Sequence, residues 1–264
     1  KLLPINRNRI IMECDYGKGF YGNLFYIYKE LEKHNHPYQI IIPLNKGVSI
    51  PSINNKNTKV IKTKTLKHLY YLATAKFWIT NNHYYFFLKP RKETVFINTW
   101  HSIGRIKKIG IHSTNDKKII KRFKTEGPRI DWFLIGSEHS RKMCLESLCL
   151  RPESIISIGI PRTDPFFNQE IQEKHKKEIF AKHLELKNKK IIIYVPTFRD
   201  DEKDNFKLKL NLNRFKEELS ENYVLLIKLH PIIRNKLLIP EDYKTFVYDM
   251  SNENINSLMF VSDI

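Results

Sequence analysis

Only 3 cysteines occur in 264 residues, Cys14, Cys144 and Cys149, and no two are in C-x-x-C spacing. That scarcity excludes a disulfide framework and a zinc ribbon, and it suits a reduced compartment. No run approaches the ~18 consecutive apolar residues of a membrane-spanning helix. The sequence opens at Lys1 rather than Met and carries no signal-peptide pattern, so it is expected to be an excised piece of something longer. Low-complexity tracts are absent, as is any repeat with a period of roughly 20 to 50 residues, which removes solenoids and propellers. Acidic residues are the scarce charge: 28 Asp and Glu stand against 46 Lys and Arg, a formal +18. This surplus predicts association with polyanions or with an anionic membrane surface. Nucleic acid is not the expected polyanion, because no zinc-knuckle spacing, no RNP-like aromatic motif and no basic recognition helix is present.

What is there reads as globular, with 41% hydrophobic and 12% aromatic residues and charges spread along the chain. Short apolar runs alternate with helical patterns, as in a parallel α/β domain. Strands are predicted over residues 9–14, 38–43, 77–80, 94–98, 132–135 and 155–158, and helices over 23–33, 66–75 and 138–150. Residues 17–22 form a glycine-rich turn between the first strand and the first helix. A highly charged helical stretch, 169–190, then separates this half from a second β-rich start at 191–195, followed by a helix at 214–220, strands at 223–229 and 245–247, and a helix at 254–261. The domain boundary is therefore placed at 168/169: an N-terminal Rossmann-like unit over 1–168 and a partial one over 169–264. The fold class is α/β and GT-B-like, two Rossmann-type domains facing a cleft, the second incomplete.

In open α/β sheets ligands bind beyond the carboxyl ends of strands. Four loops at such ends are rich in phosphate-handling residues. The first, 98–110 (NTWHSIGRIKKIG), places His101 at a strand terminus, with Gly104 allowing close backbone approach and Arg105, Lys107 and Lys108 nearby. An imidazole, with an unperturbed pKa near ~6.5, can accept a hydroxyl proton at neutral pH, although a hydrogen-bonded structural histidine would fit the loop equally. The second loop, 159–164 (GIPRTD), carries Arg162, a planar fork for phosphate or for a carboxylate such as Asp164. The third, 196–201 (PTFRDD), offers Thr197 and Arg199 to phosphate oxygens, while Asp200 and Asp201 lack the further ligands that a metal requires. In the fourth, 228–231 (KLHP), strand alternation would put Lys228 and His230 on one side of the chain, suited to a diphosphate whose charge grows on the leaving phosphate.

W-H-x-x-G-x-x-K-K-x-G, G-x-P-R-x-D, Y-x-P-T-F-R-D and K-L-H-P, in this order, resemble the signature of the CDP-glycerol glycerophosphotransferase family, over roughly residues 9–264. The resemblance implies a transferase that moves glycerol phosphate, or a related polyol phosphate, from a CDP-linked donor to an acceptor hydroxyl in teichoic-acid-like polymer synthesis, releasing CMP. It implies that His101 is the base, that His230 acts with it, and that Arg162, Thr197, Arg199 and Lys228 line the donor side, supported by Gly104, Arg105, Lys107, Asp164 and Asp200. No metal and no cofactor beyond the CDP-polyol donor are expected. The acceptor would be a lipid-linked saccharide or a polyol-phosphate polymer, reached at the cytoplasmic face of the membrane by a peripheral enzyme. Two departures stand out: Ser102, Ile103, Gly104 and Arg105 replace the usual G-T-P-x of the first motif, and the family continues past S-D-I into a strand and a T-D-Y-S-S turn. An unfinished parallel sheet with an unpaired edge is expected. Two other readings stay open, a GT-B nucleotide-sugar glycosyltransferase for capsule or lipopolysaccharide and a noncatalytic polyanion binder.

Overall fold

The computed structural model describes residues 3–50, 53, 55–85, 88–101, 108–197, 204, 206–230, 233 and 237–264. The chain divides into two compact units, Lys1–Asp164 and Pro165–Ile264.

In the first unit seven parallel strands lie in the order β3-β2-β1-β4-β5-β6-β7. They are β1 (Asn6–Glu13), β2 (Gln39–Leu44), β3 (Thr58–Lys62), β4 (Ala75–Thr80), β5 (Val95–Asn98), β6 (Trp132–Ile135) and β7 (Ile155–Ser157). Strand β1 pairs on one side with β2 (Ile10 opposite Ile40) and on the other with β4 (Ile11 opposite Trp78). Both faces are covered, which is why β2 (QIIIPL) and residues 10–12 of β1 read as continuous apolar runs rather than alternating ones. Ile10, Met12, Ile40 and Ile42 pack with Leu24 and Tyr28 of helix α1 (Gly22–Lys33). Ile11, Ile41, Trp78, Phe96 and Phe133 pack on the opposite face with residues of α2 (Leu66–Thr74), α3 (Lys117–Glu126) and α4 (Arg141–Leu148). The strand order reverses between β1 and β4, and in such sheets the crevice beyond the carboxyl ends at that point is the ligand position.

The second unit has a three-stranded parallel sheet, β10-β9-β8, built from β8 (Lys190–Tyr194), β9 (Tyr223–Ile227) and β10 (Val247–Asp249). Ile191, Val224 and Leu226 pack with Ile179 of α5 (Gln169–Lys182) and with Leu258 and Val261 of α7 (Ile255–Val261). Leu225, Ile227 and Val247 face Phe206, Phe246 and the half-buried Phe215 of α6 (Leu212–Leu219). Among the described residues five helices start on a side-chain cap, from Thr65, Asp116, Asn168, Asn211 and Asn254, each accepting a backbone N–H of the first turn.

Three expectations change. Residues 165–168 belong with the second unit, because Phe166 lies 4.8 Å from Phe260 and the Gln172 amide donates to the carbonyls of Pro165 and Phe166. The charged stretch that follows is no separator: α5 turns Ile179 into the core of that unit. At the β8 edge, expected to be unpaired, Asp263 N–H donates to the Ile191 carbonyl at 2.8 Å and Ile193 N–H donates to the Ile264 carbonyl at 2.8 Å, so the chain itself meets the edge.

Candidate active site

At the switch point the segments that follow β1, β4, β5 and β7 are joined by hydrogen bonds. After β1 the chain turns through Asp15 (φ 43°), Tyr16 (φ 55°) and Gly17 (φ 78°). Glycine suits that conformation, whereas each of the other two costs roughly 1–2 kcal/mol there. The turn is held from outside. Asp15 N–H donates to Asn81 Oδ1 at 2.9 Å, Asn82 Nδ2 and the Tyr21 hydroxyl donate to the two Asp15 carboxylate oxygens at 3.2 and 3.1 Å, and Asn45 Nδ2 donates to the Tyr16 carbonyl at 3.1 Å.

After β5, Trp100 is also left-handed (φ 50°), and its N–H donates to Asn98 Oδ1 at 2.8 Å. Its buried ring packs against His83, Phe123 and Phe133 and stacks on the His101 ring at 4.8 Å and 24°. The anchored indole thus presents an exposed imidazole at the strand end. Further along this loop Gly110 has φ 58°, and a Cβ there would lie 1.8 Å from the Ser147 carbonyl oxygen, so the last glycine of the first motif is sterically required.

His101 Nδ1 lies 2.9 Å from the main-chain carbonyl oxygen of Asn81. A carbonyl only accepts, so Nδ1 carries the hydrogen and Nε2 of the neutral ring keeps its lone pair. Arg162 joins the site from the loop after β7. Its Nη1 donates to the His101 carbonyl at 3.3 Å, and its N–H donates to Asn23 Oδ1 at 3.2 Å. Asn23, buried in the first turn of α1, completes a clamp by donating from Nδ2 to the carbonyls of Thr99 and Trp100 at 3.0 and 3.1 Å. Asp164, exposed on the same loop, has its carboxyl pKa raised by partial burial and by the charge of Glu30, with Lys33 opposing.

A second histidine near the end of β1 is built differently. His68 is fully buried, its Nδ1 accepts the Lys64 N–H at 3.1 Å, and its Nε2 faces Glu13 Oε2 at 3.5 Å. Its Nδ1 is hydrogen-bonded inside the fold, while Nε2 and Glu13 Oε2 are buried and make no hydrogen bond among the described residues, so the ring is closed off from solvent. His101 has one nitrogen tied down and the ring exposed, the arrangement a base needs.

In the second unit Thr197 is exposed beyond β8, and His230 is half-buried beyond β9. Strand β9 ends at Ile227, one residue before Lys228, so the alternation expected to align Lys228 with His230 does not extend to them. Instead the Lys228 ammonium donates to the carbonyls of Ser251 and Glu253 at 2.9 and 2.6 Å. Burial pushes its pKa below the usual lysine value, with Glu253 and Asp249 opposing. Gly104, Arg105, Lys107, Arg199 and Asp200 lie outside the described residues. Two hollows among the described residues are lined by other groups, one of about 550 Å³ by Tyr84, Tyr85, Phe96 and α3, the other of about 560 Å³ by Phe206, Leu208, Ile227 and Tyr243. Neither lining includes His101, so the site rests on strand ends and hydrogen bonds rather than on concavity. Sequence reasoning missed Asn23 and Asn81. Their signals were an asparagine opening the helix after a glycine turn and an asparagine pair directly after β4.

Comparison with known proteins follows the same lines. The chain is 29% identical over its whole length to a teichoic acid poly(ribitol-phosphate) polymerase of Bacillus spizizenii, of which it covers 42%. It is 30% identical, over 93% of its length, to the teichoic acid glycerol-phosphate primase of Bacillus subtilis, of which it covers 66%. Among solved structures the wall teichoic acid polymerase TagF superposes with a TM-score of 0.83 at 26% identity, covering 98% of this chain and 65% of that one. A histidine-to-asparagine variant of TagF has also been solved after soaking with CDPG. The chain therefore spans between 42% and 66% of the length of these relatives. The sequence profile of one family matches residues 1–264 from end to end, and the chain belongs to that family, CDP-glycerol:poly(glycerophosphate) glycerophosphotransferase.

Proposed function

We propose that the protein transfers a polyol phosphate from a CDP-linked donor to an acceptor hydroxyl, releasing CMP, in the synthesis of a teichoic-acid-like polymer. The observation that carries the reading is the state of His101, whose Nδ1–H is spent on the Asn81 carbonyl at 2.9 Å while Nε2 keeps its lone pair. Nε2 takes the proton of the acceptor hydroxyl as its oxygen attacks the distal phosphorus of the donor, and the P–O bond to CMP breaks. Arg162 holds the backbone of the base and brings positive charge to the first unit's crevice. On the donor side Thr197, Lys228 and His230 of the second unit, with Arg199 and Asp200, serve the diphosphate. Lys228 does so through the loop whose carbonyls it binds. Positioning and electrostatic stabilisation dominate such phosphoryl transfers.

The acceptor is a lipid-linked saccharide or a polyol-phosphate polymer, and the net charge of +18 draws the protein to an anionic membrane surface. No helix among the described residues is long and apolar enough to cross a membrane. Membrane contact in this reading is peripheral, at the cytoplasmic face.

The test is CMP release with CDP-glycerol, CDP-ribitol and a UDP-sugar as donors. His101→Ala is expected to lower release from a CDP-polyol by about 10²–10⁴, the usual worth of a general base, while donor binding by calorimetry is retained. Cleavage of the UDP-sugar in preference to both CDP-polyols, or undiminished turnover in the variant, would overturn the reading.

A further inference from the structure

We propose that Asn81 is the positioning residue of the site, setting the tautomer and direction of the His101 ring through its main-chain carbonyl while its side chain locks that carbonyl to the turn after β1. The inference rests on the reading of His101 as the base and names the residue behind it.

Three contacts converge on this one buried asparagine. Its carbonyl oxygen receives His101 Nδ1–H at 2.9 Å, its Oδ1 receives the Asp15 N–H at 2.9 Å, and its Nδ2 donates to Cys14 Sγ at 3.1 Å. Cys14 passes the chain on, its thiol donating to the Tyr21 carbonyl at 3.6 Å, just ahead of α1. Burial pushes the Cys14 thiol up to about 11, so it remains a protonated donor at neutral pH.

The residue type follows from these demands. The side chain must accept from a backbone N–H and donate to a sulfur at the same time, at a fixed short reach. Aspartate lacks the donor, serine and threonine lack the second polar atom, and glutamine is a methylene too long. Asn81 stands directly after β4, beside the end of β1 where the strand order reverses, so the ends of these two strands, where ligands bind in such sheets, are joined through it. The neighbouring turn is the strained one: Asp15 and Tyr16 are both left-handed, and such conformations persist only where the surroundings over-determine them. The Asn81 side chain is one of those restraints, so removing it frees the turn and the carbonyl together. An imidazole that loses the partner on Nδ1 can redistribute its hydrogen to Nε2, the nitrogen that must stay open to the acceptor hydroxyl.

The experiment is nitrogen-detected histidine NMR of the whole protein about two pH units above the ordinary imidazole value of ~6.5, with the His101 signals assigned by their loss in His101→Ala. The native ring is expected as the Nδ1–H tautomer. Asn81→Ala is expected to shift it toward a mixture with Nε2–H and to lower kcat by about 10- to 100-fold, by analogy with the loss of partners that orient metal-bound imidazoles, with acceptor KM changing less than kcat. A native Nε2–H tautomer would overturn the proposal, as would an Asn81→Ala ring unchanged from the native one. The native spectrum needs no variant, and Asn81→Ser gives a second, milder substitution if the alanine protein does not fold. If His101→Ala retained full turnover, the assignment of the base would fall while the tautomer result still decided whether Asn81 orients the ring.

Discussion

The two units treat their polar residues in opposite ways. In the first, the groups around the crevice are fixed by side chains reaching far along the sequence, Asn23 to Thr99, Trp100 and Arg162, and Asn81 to Asp15 and Cys14, and the outcome is an imidazole with one nitrogen held and the ring exposed. In the second, Lys228, expected to line the donor side, spends its hydrogens on two carbonyls of its own unit. A cation at a strand end is therefore not automatically a ligand-binding cation. It can serve by shaping the loop that does the binding, and only its partners tell the two roles apart.

The largest way to break the comparison is through the cores. Phe133 is completely buried in the first sheet and Leu226 in the second, and truncating each to alanine is expected to cost about 3–5 and 2–5 kcal/mol respectively. If the units are stabilised by separate cores, urea unfolding followed by a probe in each will move one transition and leave the other in place. A single transition shifted by both variants would mean that the two unfold as one. Smaller is the effect of Lys228→Met, which leaves the carbonyls of Ser251 and Glu253 without their donor and is expected to cost about 1–3 kcal/mol. The loss should fall on the second unit's transition alone, and an unchanged midpoint would restore Lys228 to the role of a free cation.

The smallest effect concerns the thiols. Cys14 and Cys144 are buried, with pKa values pushed up to about 11, while Cys149 is half-buried and raised by burial, with Lys124 opposing. Alkylation at pH 8 is expected to mark Cys149 first, and its rate should rise roughly tenfold per pH unit below its pKa, because the thiolate is the nucleophile. Linkage runs the same way. The folded state keeps the Cys14 and Cys144 protons that the unfolded chain releases near the ordinary thiol value of 9.0, so their contribution to stability is complete below that pH and is lost as pH rises toward about 11. Mass spectrometry of labelled peptides reads the order, and early labelling of Cys14 would contradict its burial.

The sequence made the interior strands legible and the margins obscure. The strand over Trp132–Ile135 was read residue for residue, and β1, β2 and β4 within a few residues, because burial on both faces leaves a continuous apolar signal. The edge strand β3 buries only Ile61, and α3 buries only Phe123 among charged neighbours, so neither stood out. His101 and Arg162 were singled out because strand-end loops are where ligands bind in open α/β sheets, and the fold brings the two together. Asn23 and Asn81 could not be weighed, since a single asparagine means cap, turn or clamp until its partners are known. The alternation expected to align Lys228 with His230 was carried past Ile227, where β9 ends.

The middle position of β1 also has a consequence for biogenesis. As the polypeptide leaves the ribosome, β1, β2 and β3 can assemble first, but the other edge of β1 stays open until Ala75–Thr80 emerges to cover it. An oily strand with a bare row of amides is the kind of intermediate that aggregates or recruits chaperones. Nascent chains arrested short of that segment should therefore be sticky, and release from the chaperone should coincide with the moment at which the cradle for the imidazole first comes into being.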